Sequence, residues 1–211
     1  MLVNRECNMV NIIKGNFLQN RRALCVLKEG VTRMGLRLED LDGGGLTNLM
    51  FEEFETDLQG GRLYISPRLK DKSQDTYVTS LREAMLTGND ESLAHSILEN
   101  DCLKSMMPRR TKTGHITMAK MRRDAHLTLA EGEVNRFYIS ALYRKAISEG
   151  REIEVYRAKQ VRKPRPQSQA LIGNLLDPSK LLEDLQQNIR VDTALGVPAG
   201  PNSGLSVRIR R

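Results

Sequence analysis

The sequence predicts an α+β protein that is mainly helical, with a helical N-terminal region and a small C-terminal domain built from a central helix and a short sheet. Most apolar residues recur at helical spacing, and the longest such series begins near Thr128. Alternation of apolar and polar residues, which is typical of strands, is clearest at 152–161 in the C-terminal half. We divide the chain into a helical region at 1–103, a basic loop or linker at 104–126, and the α+β domain at 127–211.

Composition indicates a soluble, globular chain. Its 211 residues correspond to one domain, or a small domain with an extension, and 39% hydrophobic with 28% charged residues excludes a disordered or fibrous class. The first 17 residues carry scattered charges and no signal-peptide pattern, and no apolar stretch is long enough to cross a membrane. Three widely spaced cysteines predict neither disulfides nor a metal site. We therefore expect a cytoplasmic protein without membrane contact.

The N-terminal region reads as a series of short helices. Apolar spacing predicts one helix over 17–29 and a second over 46–58, which Gly60 and Gly61 end, followed by an extended segment or short strand at 62–66. Two further helices, at 77–86 and from Asn89 or Asp90 onward, are joined by two residues and predict an antiparallel helical hairpin.

The central helix of the C-terminal domain has the clearest predicted boundaries. Thr128 and Glu131 fit a capping box at its start, and Gly150 suits a left-handed stop. Beyond it the pattern predicts four elements: a strand at 152–161, a short helix at 168–172, a helix from Asp177 to Asn188 and a last strand at 205–209.

Charge is segregated along the chain, although the net charge, 33 basic minus 26 acidic residues, is only +7. Residues 38–61 contain no base and seven acids: Glu39, Asp40, Asp42, Glu52, Glu53, Glu55 and Asp57. Residues 102–123 contain no acid and seven bases: Lys104, Arg109, Arg110, Lys112, Lys120, Arg122 and Arg123.

This basic segment admits three interpretations. It can neutralise nucleic-acid phosphates, it can be a solvated linker, or it can meet the acidic segment of another copy in a head-to-tail assembly. The segment has no aromatic residue for stacking on unpaired bases. We therefore expect contact with a nucleic-acid backbone or with protein, and the seven bases are the candidate DNA-binding residues.

Catalytic patterns are weak. Glu131 and Glu133 are two residues apart and point to different sides of a helix, so they cannot act jointly. His95, His115 and His126 have no partner at ligand spacing, and there is neither a phosphate-binding loop nor a nucleophile elbow. We predict no catalytic residue, no metal and no cofactor.

Three segments of the C-terminal half share an order with a known pattern. Glu133-Val134-Asn135-Arg136 precedes a strand, then come Pro166, Leu171 and Gly173, and Pro201-Asn202 lies near the end. Together they resemble the domain of phage Mu F-like minor head proteins, which has a T-E-x-N-R-A helix, a C-P-x-C-x-x-L-x-G segment and a closing H-P-N-C-R-C.

The departures from that family concern its cysteine and histidine positions, which this chain fills with other residues: Arg165, Ser168, Gly200, Ser203 and Leu205. Any metal site of the family would be lost, because arginine, glycine and leucine side chains cannot replace thiolates and imidazoles. The family-motif residues retained are Glu133, Asn135, Arg136, Pro166, Gly173, Pro201 and Asn202.

The resemblance implies a non-enzymatic structural or assembly protein in a virion or prophage context. Its partners would be other copies of itself, a portal or a capsid protein, with packaged DNA nearby and an oligomeric state. The alternative from another class is a cytosolic DNA-binding accessory protein unrelated to virions.

Overall fold

The computed structural model describes residues 35–41, 45–87, 89–161, 163–180, 183 and 204–210. Within them the fold is α+β and mainly helical, as predicted. The helices are α1 (Leu46–Gln59), α2 (Gln74–Thr87), α3 (Asp90–Glu99), α4 (Ala125–Glu149) and α5 (Pro166–Ala170). The strands are β1 (Met106–Arg110), β2 (Ile116–Lys120), β3 (Ile153–Arg157), β4 (Leu175–Leu176) and β5 (Leu205–Ile209).

Helices α1, α2 and α3 confirm the helices predicted over 46–58, over 77–86 and from Asn89 or Asp90 onward. The apolar series of α1 buries Leu46, Met50 and Phe54 completely, and Phe54 meets Phe137 of α4 edge to face at 5.9 Å between ring centroids. Asn89 caps α3 by accepting hydrogen bonds from two backbone N–H groups of its first turn. Helices α1 and α3 pack against α4, and α2 packs mainly against α1 and α3.

The predicted start of α4 is wrong by one turn. The helix begins at Ala125, and the Thr128 hydroxyl donates to the Ala125 carbonyl at 3.0 Å instead of capping the helix. Glu131 forms an ion pair with Lys159, so it is not the second half of a capping box. At the other end Gly150 adopts φ 59° and closes the helix, as predicted.

Helix α4 is buried on nearly all sides because neighbours pack against it from two directions. Helices α1 and α3 cover one part of it, and the sheet β4-β3-β5, which is entirely antiparallel, covers another through β5. The Tyr138 hydroxyl donates to the Val207 carbonyl of β5 at 3.0 Å. Residues before 104 and after 124 therefore contribute to one continuous hydrophobic core within the described chain.

The remaining predictions differ in outcome. Residues 62–66 form no strand. The strand predicted at 152–161 is present but shorter, Ile153–Arg157, and the strand predicted at 205–209 is confirmed. Helix α5 begins at Pro166, two residues earlier than expected, since proline suits the first helical position. The helix predicted over 17–29 and most of the one predicted after Asp177 lie outside the described residues.

Candidate nucleic-acid interface

The basic segment is a β-hairpin, which corrects the prediction of a loop. Strands β1 and β2 pair antiparallel over five residues each, with Met106 opposite Lys120 and Arg110 opposite Ile116. We call this hairpin, residues 105–121, the basic arm. Its ladder extends by one bond at each end, from the Thr111 N–H to the His115 carbonyl and from the Met121 N–H to the Ser105 carbonyl, both 2.8 Å.

The turn of the basic arm explains why the segment folds back on itself. The Gly114 N–H donates to the Thr111 carbonyl at 3.0 Å, and Gly114 itself adopts φ 88°. This is a three-residue hairpin loop in which a tight turn is followed by a residue in the left-handed region, a position that favours glycine. The Thr111 and Thr113 hydroxyls lie 2.9 Å apart across the loop.

Pro108 is compatible with β1 because of its place in the register. The backbone bonds between Thr111 and His115 and between Ser105 and Met121 show that odd-numbered residues form the hydrogen-bonded pairs of the ladder. The even-numbered residues therefore turn their N–H groups outward. Proline at 108 therefore removes no ladder bond, and it leaves the outer edge of β1 without a donor at that point.

The two faces of the basic arm differ in chemistry. Side chains of directly opposed residues share a face, so one face carries Met106, Pro108, Arg110, Ile116, Met118 and Lys120. Its apolar members are strongly exposed, with Ile116 at 74%, Met118 at 59% and Met106 at 37%. We call this the apolar face. The opposite face carries Arg109, Thr117 and the half-buried Met107 and Ala119.

No described helix or strand packs substantially against the basic arm. The arm therefore extends from the body of the protein with most of its surface in solvent. A lone two-stranded hairpin is only marginally stable in water, and this one leaves three large apolar side chains uncovered.

Five of the seven candidate DNA-binding residues have no acidic partner among the described residues. Arg109, Arg110, Lys112, Lys120 and Arg123 are all exposed. Within the described chain, one side-chain hydrogen bond involves this group, from Arg110 Nε to the Gly114 carbonyl. Lys104 and Arg122 are engaged within the chain. Lys104 donates to the Pro67 carbonyl at 3.1 Å, and Arg122 forms a two-point pair with Asp124 at 2.8 and 3.0 Å.

The acidic segment behaves in the opposite way, because each of its described acids has a partner in the same chain. On α1, Asp57 pairs with Arg136 at 2.7 Å, Glu53 with Arg144 at 2.6 Å, Glu52 with Arg144 at 3.8 Å and Glu55 with Arg82 at 2.8 Å. Before α1, Glu39 pairs with Arg208, and Asp40 accepts from the Ile209 N–H. These acids tie α1 to α2 and α4, and the segment before α1 to β5.

The helical part of the family motif has structural contacts. Asn135 donates to the Leu205 carbonyl at 3.1 Å and so joins α4 to β5. Arg136 joins α4 to α1 through Asp57, and its guanidinium lies 5.2 Å from the Phe137 ring centroid. Glu133 is 6% exposed and leaves Oε2 without a hydrogen-bond partner.

Burial sets the protonation of Glu133. Desolvation raises the pKa of this carboxyl from 4.5 to about 7, against the favourable charge of Arg136. Glu131 is also buried, but unlike Glu133 it forms an ion pair with Lys159. The two carboxylates therefore face different surroundings, and the described residues contain no group of three metal-ligating side chains close enough to hold an ion.

The other family-motif residues shape the chain between β3 and β5. Pro166 starts α5, and Gly173 adopts φ 86° while its N–H donates to the Val155 carbonyl of β3 at 2.8 Å. Pro201 and Asn202 lie outside the described residues.

The apolar face is the feature that sequence reasoning missed. Two short runs with apolar residues at alternate positions, 106–110 and 116–120, flank the sequence Thr-Lys-Thr-Gly. Two such runs that are separated by three to five residues, glycine among them, are typical of hairpins. That signal was available, but the basic residues, the threonines and Pro108 favoured a loop.

Comparisons with protein-family models, curated proteins and solved structures found no match to this chain. Among the described helices, none combines the length and the apolar character that crossing a bilayer requires. The likeness to minor head proteins therefore stays a prediction from the sequence.

Proposed function

We propose that this chain is a non-enzymatic assembly protein that uses the basic arm to contact DNA. The observation that carries the proposal is the exposed cluster of bases on the arm, Arg109, Arg110, Lys112 and Lys120, none of which has an acidic partner in the described chain. Each phosphate neutralised by such a base releases counterions and strengthens binding at low salt.

The charge pattern favours an external anion over head-to-tail assembly. Head-to-tail contact would join the arm of one copy to the acids of α1 in another. Those acids already pair with Arg82, Arg136 and Arg144, so a second base would have to compete with contacts as short as 2.6 Å. A nucleic-acid backbone offers unpaired negative charge without that competition.

The resemblance to phage Mu F-like minor head proteins supplies the proposed context. In that context the protein acts in a virion or prophage, beside a portal or capsid protein and close to packaged DNA. The cytosolic DNA-binding accessory protein has the same arm chemistry, and it differs in lacking a capsid partner. Capture of the full chain by portal or capsid proteins separates the two.

Binding of a short DNA duplex at constant ionic strength tests the proposal. The arm variant replaces Arg109, Arg110, Lys112 and Lys120 by glutamine. A control variant makes the same change of net charge outside the arm by replacing four lysines by glutamine: Lys72, Lys145, Lys163 and Lys180.

The arm variant should lose at least tenfold in affinity, whereas the control should stay within about twofold of the unmodified chain. The four bases of the arm lie close together on one hairpin, whereas the four control lysines lie on separate segments of the described chain. Equal losses in both variants would show that general charge attraction accounts for the binding. Sedimentation without DNA adds a check on self-association. If the unmodified chain forms oligomers and the arm variant is monomeric, the result would instead support head-to-tail contact.

A further inference from the structure

We propose that the apolar face of the basic arm sits in the major groove of duplex DNA, so that the arm binds bases as well as phosphates. This inference rests on the proposed function and names the part of the DNA that the arm contacts. It starts from the exposure of Met106, Ile116 and Met118, which phosphate binding alone does not require.

The shape of the arm fits this groove. The major groove is about 12 Å wide and admits a two-stranded ribbon, whereas the minor groove is only about 6 Å wide. Two paired backbones already lie about 4.8 Å apart before side chains are added. A ribbon presented face-down therefore fits the wider groove.

The chemistry of the apolar face also matches a groove. Ile116, Met118, Met106 and Pro108 lie between two bases at opposite ends, Arg110 beside the turn and Lys120 beside the body. The thymine methyl group in the major groove accepts apolar contacts. Arg110 and Lys120 would then reach the phosphates that line the groove.

Other occupants of the arm fit less well. A second copy of the arm would place bases against bases. Pro108 interrupts the outer edge of β1, so a strand of a protein partner could add only at the outer edge of β2. There the N–H groups of Ile116, Met118 and Lys120 make no bond within the described chain. The arm has no aromatic side chain on which the bases of single-stranded DNA could stack.

The test uses the full chain with the double variant Ile116→Thr/Met118→Thr, since threonine keeps the strand preference and removes the apolar contact. The control, Thr117→Ser/Ala119→Ser, alters the opposite face. The first variant should bind the duplex about tenfold more weakly, with unchanged salt dependence, and the control should bind normally. Ile116→Val/Met118→Leu keeps the apolar surface and should also bind normally, which separates loss of contact from loss of the hairpin.

The DNA itself supplies a second probe. A duplex with uracil in place of thymine lacks the C5 methyl group in the major groove. It should bind the unmodified chain several-fold more weakly and bind the Ile116→Thr/Met118→Thr variant with no further loss.

Charge placement gives a third probe. Replacing Arg110 and Lys120 by glutamine should lower the salt dependence more than replacing Arg109 and Lys112, because only the first pair flanks the apolar face.

The groove inference fails if the apolar variant and the uracil duplex both leave affinity unchanged; the proposed function survives that result as long as the four-glutamine arm variant still loses binding. If polyglutamate displaces the duplex and the apolar variant weakens only polyglutamate binding, the occupant is an acidic protein strand and the groove inference is wrong.

Discussion

The surface of α1 and the basic arm are both highly charged, and they use charge in opposite ways. On α1 the acids pair with arginines of α2 and α4, so their charges hold these helices together. On the arm, Arg109, Arg110, Lys112 and Lys120 face solvent without an acidic partner among the described residues. The difference teaches that segregation along the sequence does not identify a binding surface until the internal pairs are known.

The largest effect should come from the pair that ties α1 to α4. Replacing Arg136 by alanine leaves Asp57 only its longer contact with Arg62, 3.4 Å, and removes the guanidinium from the Phe137 ring. We expect the free energy of unfolding to fall by about 3 kcal/mol, as measured by urea unfolding. Arg109→Ala on the arm should change it by less than about 0.5 kcal/mol. Similar losses in the two variants would remove the distinction between the two regions.

The next effect concerns Glu133, the buried carboxyl of the same helix. Because its pKa rises from 4.5 to about 7 on folding, the folded protein holds this proton more tightly, and stability is lost as pH rises from 4.5 to 7. Glu133→Gln cannot lose a proton, so its stability advantage over the unmodified chain should grow by about 2 to 3 kcal/mol between pH 5 and pH 8. Parallel stability curves between these pH values would contradict the burial of an ionisable group here.

A smaller effect on stability is expected at the exposed ion pair between α1 and α4. Arg144 lies 2.6 Å from Glu53, but its side chain is 42% exposed, so water and salt screen the pair. Arg144→Ala should lower the free energy of unfolding by about 0.5 kcal/mol at low salt and by nearly nothing at high salt. A loss that does not change with salt would point to packing in place of charge.

The smallest effect on stability should follow removal of the arm itself. Replacing residues 106–120 by a short glycine-serine linker removes no substantial packing against a described helix. Thermal unfolding followed by circular dichroism should shift by no more than about 2 °C. A fall several times larger would show that the arm belongs to the core and is not an independent binding element.

The sequence predicted the fold class and several boundaries because those depend on local patterns. The apolar series of α1, the Asn89 cap and the Gly150 stop all act within a few residues. The charge pairs could not be predicted in the same way, since Asp57 and Arg136 are 79 residues apart and Glu39 and Arg208 are 169 apart. Only the packing of α1 on α4 and the position of β5 bring them together.

The candidate site was predicted in part. The segregated bases point to residues 102–123, where the structure shows a hairpin in place of the predicted loop and bonds Lys104 and Arg122 within the chain. Asn135 and Arg136 of the family motif likewise join α4 to β5 and to α1, whatever the origin of the motif. The apolar face emerged only from the register of β1 and β2, which decides which side chains share a face.

The salt dependence of duplex binding tests the central claim most directly. Plotted as the logarithm of the binding constant against the logarithm of salt concentration, its slope counts neutralised phosphates at about 0.9 for each. The variant with glutamine at 109, 110, 112 and 120 should lose roughly 2 to 4 in slope, whereas the control changed at 72, 145, 163 and 180 should keep the slope of the unmodified chain. Equal slopes for the arm variant and the unmodified chain would contradict the account.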